Sequence, residues 1–85
     1  MIPMTLILLA HAFYAPDCCG GRDCHPVACE EIVTTKDGWQ WQHRIWFSRY
    51  MMRVSQDGGC HVCVAQPEFS TVPPYGVCIY LPPQT

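Results

Sequence analysis

Seven cysteines in a chain of 85 residues constrain what this sequence can fold into more than any other feature. A single domain of this size buries too small a share of its surface to be comfortably stable on apolar packing alone. The shortage is sharper than the composition suggests. Hydrophobic residues make up 49% of the chain, yet nine of them lie in the first twelve positions and seven are the cysteines themselves. Conformational entropy of roughly 1.5 kcal/mol per ordered residue offsets what so small a core contributes, which is why small scaffolds recruit cross-links or a metal. Cysteines used as disulfides in turn imply an oxidising compartment.

The N-terminus agrees with that compartment. Met1 to Ala12 carries no charged side chain, Met4 to Ala10 is nearly all apolar, and Ala10-His11-Ala12 has the small-x-small pattern that signal peptidase reads. Residues 1–12 therefore read as a signal peptide, cut after Ala10 or Ala12, and residues 13–85 as one disulfide-rich domain that is secreted or periplasmic. A stable membrane span is not expected, because roughly 20 apolar residues are needed to cross a bilayer. Five basic and seven acidic side chains are scattered along the chain for a net charge of −2. Nucleic-acid binding by a basic footprint is thereby unsupported.

Beyond residue 12 leucine occurs once, at Leu81, and methionine only at Met51 and Met52, while Val, Ile, Thr and aromatic residues dominate. That is a strand vocabulary. Residues 13–29 hold four cysteines, two glycines and two prolines, which predicts a covalently pinned loop rather than a regular element. Glu30 to Thr35 reads as a strand, Lys36-Asp37-Gly38 as a turn, and Trp39 to Phe47 as a returning strand. In that strand Trp39, Trp41, His43, Ile45 and Phe47 alternate with Gln40, Gln42, Arg44 and Trp46. A second hairpin is expected from Met51–Ser55 and Cys60–Ala65 around Gln56-Asp57-Gly58-Gly59, whose glycines supply positive φ angles. Val77 to Leu81 makes a last strand, stopped by Pro82-Pro83. The expected fold is mainly β, a small disulfide-rich antiparallel sheet or barrel of about five short strands with little helix.

Several of these segments also carry a resemblance. His11-Ala12-Phe13-Tyr14 ahead of Cys18-Cys19, then Asp23-Cys24-His25-Pro26-Val27, Ser55-Gln56-Asp57-Gly58-Gly59-Cys60-His61-Val62-Cys63, and Cys78 before Pro82-Pro83 resemble small exported, cysteine-rich bacterial and phage proteins of unknown function. The likeness covers most of the chain after residue 10. It implies export and disulfides and brings no catalytic assignment; the mature chains of that group begin at the histidine, which here means a cut after Ala10. Two departures stand out: Gln56 replaces a proline of the group, and Cys29 and Cys60 are additions. The pairing of the cysteines therefore stays open.

Six cysteines alone allow 15 pairing schemes. If Val62-Cys63-Val64 runs antiparallel to Val77-Cys78-Ile79, Cys63 and Cys78 face each other at bridgeable distance. Cys18 and Cys19, being adjacent, require separate partners, and Cys24 and Cys29 complete the N-terminal group. Strand alternation sends Cys60 and Cys63 to opposite faces, also to different partners. The odd cysteine is assigned to Cys29 or Cys60. A free N-terminal His11 would offer an amine and an imidazole to copper, and Cys24, His25, Cys60, His61 and Cys63 could contribute to a zinc or copper site. Cys60-His61-Val62-Cys63 as a redox motif would need a helix N-terminus to stabilise a thiolate, and a strand is expected there instead.

No Ser-His-Asp spacing, phosphate-cradling glycine loop or paired acids mark an enzyme. The expectation is a non-enzymatic interaction or structural module without a cofactor, meeting an unknown protein or a cell-envelope component, with Cys/His metal binding as the alternative and thiol-disulfide redox chemistry behind it. Aromatic residues are common anchors of such contacts. Trp46, out of phase with Trp39 and Trp41, and Tyr50 are the expected exposed members.

Overall fold

The computed structural model describes residues 14–19, 23–67 and 71–83, so the segment read as a signal peptide and His11 lie outside the described residues. In chain order the elements are a helical turn α1 (Pro16–Cys19), β1 (Asp23–Val27), a 3-10 turn η1 (Cys29–Glu31), β2 (Ile32–Thr35), β3 (Gly38–Trp41), β4 (Ile45–Ser48), a second 3-10 turn η2 (Arg49–Met51), β5 (Met52–Val54), β6 (Cys60–Ala65) and β7 (Tyr75–Leu81). The protein is mainly β with almost no helix. Its strands form a four-stranded sheet in the order β1-β6-β7-β5 and a three-stranded sheet in the order β2-β3-β4.

The central pair β6 and β7 is covered on both faces, and its alternation sorts the core in two. Cys60, Val62, Val64, Ile79 and Leu81 meet Trp41, Ile45 and Phe47 of the three-stranded sheet. Cys63, Cys78 and Tyr80 point the other way, where Cys24 and the N-terminal Tyr14 and Cys18 cover them. The sheets approach closely where Phe47 lies over Gly76. A Cβ on Gly76 would stand 2.6 Å from the Phe47 ring, so only glycine fits at this contact. Beside it Val77 is the extra residue of a bulge, since Cys63 pairs with Cys78 and Val64 with Gly76.

Among the described residues seven strands replace the expected five, for two reasons. The pinned loop of residues 13–29 contains β1, which tolerates Pro26 because it is an edge strand. The returning strand Trp39–Phe47 is broken by a tight turn in which Gln42 and His43 both take positive φ, 56° and 60°, and Arg44 N–H bonds Trp41 C=O at 3.3 Å. This is the geometry of a primed hairpin turn. Because Trp41 pairs with Ile45 across it, the parity is preserved: Trp41, Ile45 and Phe47 are buried, and Trp46 is 52% exposed.

The expected hairpin of Met51–Ser55 with Cys60–Ala65 is not formed. β5 pairs in parallel with β7, on the side of β7 away from β6. A bond from Ser55 N–H to Leu81 C=O, 2.7 Å long, fixes that pairing. The segment Gln56–Gly59 is therefore a crossover rather than a hairpin turn.

Candidate functional site

The cysteines settle first, because they determine which chemistry is left. Three bridges join Cys18 to Cys78, Cys24 to Cys63 and Cys29 to Cys60, over sequence separations of 60, 39 and 31. They join six of the seven cysteines. The expected Cys63–Cys78 bridge is not found, although the two residues are register partners as anticipated. Cys24 and Cys63 are also register partners, with Cα atoms 4.0 Å apart, the spacing of a non-hydrogen-bonded antiparallel pair. Cys63 thus bonds across to β1 rather than to β7. Cys78 is met instead from above by Cys18. The assignment of the odd cysteine to Cys29 or Cys60 is likewise corrected, since these two bridge each other.

Cys60 and Cys63 do face opposite ways and bind different partners, and neither bridges the other, so Cys60-His61-Val62-Cys63 is not a paired redox motif. The alternative metal set is dispersed by the same bonds: Cys24, Cys60 and Cys63 are all in disulfides. His25 stands 3.5 Å from Asp23 with its ring edge-on to Trp41. Among the described residues no group of three His, Cys, Asp or Glu side chains is placed to hold a metal ion. Trp46 on β4 and Tyr50 in η2 are both exposed, Tyr50 at 93%. No helix among the described residues is long and apolar enough to cross a membrane.

Two features were not anticipated from the sequence. The first is a polar chain, buried except at Asp57, on the face of the four-stranded sheet that the N-terminal segment covers. Asp57, on the crossover, accepts at Oδ1 from the Ser55 hydroxyl at 2.7 Å, from Gly59 N–H at 2.9 Å and from His61 Nε2 at 2.9 Å. With Nε2 donating, a neutral ring presents Nδ1 as acceptor, and the Tyr14 hydroxyl lies 2.9 Å from it. The bonds from His61, Ser55 and Gly59, in that order, hold the Asp57 carboxyl far below the usual carboxylate range. Tyr80 closes the group: its hydroxyl accepts from Ala15 N–H at 2.8 Å, and the Tyr14, His61 and Tyr80 rings stack edge to face. Ser55 donates to the carboxylate and not to the imidazole. The order in which a histidine activates a serine hydroxyl is therefore absent from this group, and what the chain of bonds does is tie Tyr14 and Ala15 to the sheet.

The second feature is an open end of the inter-sheet core. Here the sheets splay around a groove of about 270 Å³, with Thr34 and Trp39 on one side and Met52, Val54, Leu81 and Pro82 on the other. An adjoining hollow of about 180 Å³ continues past Ile32 to the Cys29–Cys60 bridge. Among the described residues no charged side chain lines either. Asp57 carried a usable signal, an aspartate two residues after a serine in a turn. Tyr14 and the groove carried none, because both arise from contacts between distant segments. Comparison of the chain with protein-family models, curated proteins and solved structures finds no match in any of the three.

Proposed function

We propose that this protein is exported and works, without catalysing a reaction, as a disulfide-clamped interaction module that meets a protein or cell-envelope component. The observation that carries this reading is the distribution of the three bridges. They fasten α1, β1 and η1 to β6 and β7, and such bonds persist in oxidising compartments. The buried polar groups are spent on holding the N-terminal segment, which leaves the surface to do the work. That surface presents Trp46, Tyr50, Val54 and Tyr75 to solvent and the uncharged groove between the sheets. The resemblance to small exported bacterial and phage proteins supports the same compartment.

Intact mass of the protein recovered from the exported fraction tests this, measured natively and after alkylation in denaturant without reductant. The expected result is a chain beginning at His11 or Phe13, six cysteines in disulfides and no retained metal. Four or more alkylated thiols together with one bound zinc would overturn it in favour of a metal protein.

A further inference from the structure

We propose that the free edge of β2, with the groove beside it, receives an extended peptide of a partner protein in antiparallel β pairing. The inference rests on the interaction-module reading and names the site and the chemistry of its ligand.

Backbone direction comes first. Gln42 N–H bonds Glu31 C=O at 3.5 Å, one step beyond the register pair Ile32 and Trp41. Alternation then directs Glu31, Val33 and Thr35 toward β3 and turns Ile32 and Thr34 outward. Ile32 N–H is taken by Cys29 C=O. Among the described residues no hydrogen bond reaches Ile32 C=O or the N–H and C=O of Thr34.

Edges of this kind are ordinarily blunted by charge, proline or a cover. β1 carries Asp23 and Pro26, β5 folds the Arg53 guanidinium onto Met52 C=O at 3.3 Å, and β4 packs at Gly76 of β7. Ile32-Val33-Thr34-Thr35 has none of these. Its outward residues are also the ones whose side chains line the groove. Residues opposite each other in an antiparallel pair share a face, so a docked peptide would send alternate side chains into an uncharged apolar hollow. Backbone bonds then supply affinity and the hollow supplies selection, as in other strand-addition sites.

Charge fixes the polarity of the peptide. Glu30 and Glu31 precede the strand, and Lys36 follows it with the Arg49 guanidinium on its carbonyl at 2.9 Å. An antiparallel ligand matches these ends when it is acidic at its N-terminus and basic at its C-terminus. The blocked peptide Glu-Thr-Val-Thr-Val-Lys-Lys fits that description, its two valines opposite Thr34 and Ile32.

Amide NMR of the oxidised protein titrated with this peptide is the test. Saturable shifts are expected at the Thr34 amide and the Trp39 indole. N-methylation of the first valine, which removes the donor to Thr34 C=O, is expected to weaken binding by about tenfold. Exchanging the charged ends is expected to weaken it by about threefold at low salt and not at high salt. Thr34→Pro, at an edge position whose N–H bonds nothing in the sheet, is expected to abolish it. The proposal is overturned if Thr34 does not respond at millimolar peptide, or if the N-methylated peptide binds equally well. It is also overturned if the protein self-associates through this edge in a way Thr34→Pro abolishes, which would make the occupant a second copy. Each of these outcomes with six cysteines still oxidised removes this site and leaves the module reading standing.

Discussion

The two faces of the four-stranded sheet are covered by different means. On one, a second sheet supplies Trp41, Ile45 and Phe47, and ordinary apolar packing closes the core. On the other, the cover among the described residues is the short segment from Tyr14 to Cys19, too brief to hold itself down by burial. It is held by the Cys18–Cys78 bridge, by hydrogen bonds from Tyr14 to His61 and from Ala15 to Tyr80, and by an Arg53–Asp17 ion pair at 3.3 Å. Two of the three bridges, Cys18–Cys78 and Cys24–Cys63, lie on this face, where the described residues form no second layer, and the third, Cys29–Cys60, joins the packed face.

Phe47→Ala should break the packed face with the largest effect. Phe47 is fully buried beneath Gly76 and among the apolar side chains of both sheets. Removing its ring is expected to cost about 3–5 kcal/mol, read from urea unfolding of the oxidised protein. A loss below about 1 kcal/mol, the scale of an ordinary substitution, would mean that the two sheets do not depend on each other as described.

The covalent face should respond next. Replacing Cys18 and Cys78 together by alanine is expected to cost about 2–4 kcal/mol. Replacing Cys29 and Cys60 on the packed face, which close a loop about half as long, should cost about 0.6 kcal/mol less on loop entropy alone. Hydrogen exchange distinguishes this from a general loosening: the Ala15 and Cys18 amides should exchange faster while those of β3 and β4 keep their protection. Equal acceleration on both faces would show that the two covers act as one.

The same contrast explains what could be read from the sequence. The packed face was legible because it rests on alternation: Trp41, Ile45 and Phe47 inward with Trp46 outward follows from period two, and a three-residue turn keeps that parity. Its turn was not legible, since Gln42 and His43 are poor at positive φ, a conformation costing roughly 1–2 kcal/mol per residue without glycine, and only the surrounding sheet imposes it. The covalent face was legible in kind, as a loop pinned by cysteines, but not in connectivity. Register places Cys63 beside both Cys24 and Cys78, and alternation alone does not choose between them. The parallel placement of β5 was hidden for a related reason, because Asp57-Gly58-Gly59 has the composition of a hairpin turn while serving a crossover.

The smallest effect expected on the N-terminal face belongs to Asp57, and acid reveals it. Asp57 is half exposed, and its carboxylate is stabilised in the folded state by His61, Ser55 and Gly59. A carboxyl depressed on folding stabilises the protein fully at pH values above its unfolded value, about 3.9. As the pH falls below that, the unfolded chain takes up a proton that the folded chain still refuses, and stability declines until the folded group protonates as well. Asp57→Asn should therefore flatten the decline of the urea midpoint below about pH 4 and change the midpoint less at pH 6 than either of the other variants does. If the acid limb keeps its slope in Asp57→Asn, the carboxylate is not what holds the polar chain together, and the segment is anchored instead by the Cys18–Cys78 bridge with the Ala15–Tyr80 and Arg53–Asp17 contacts.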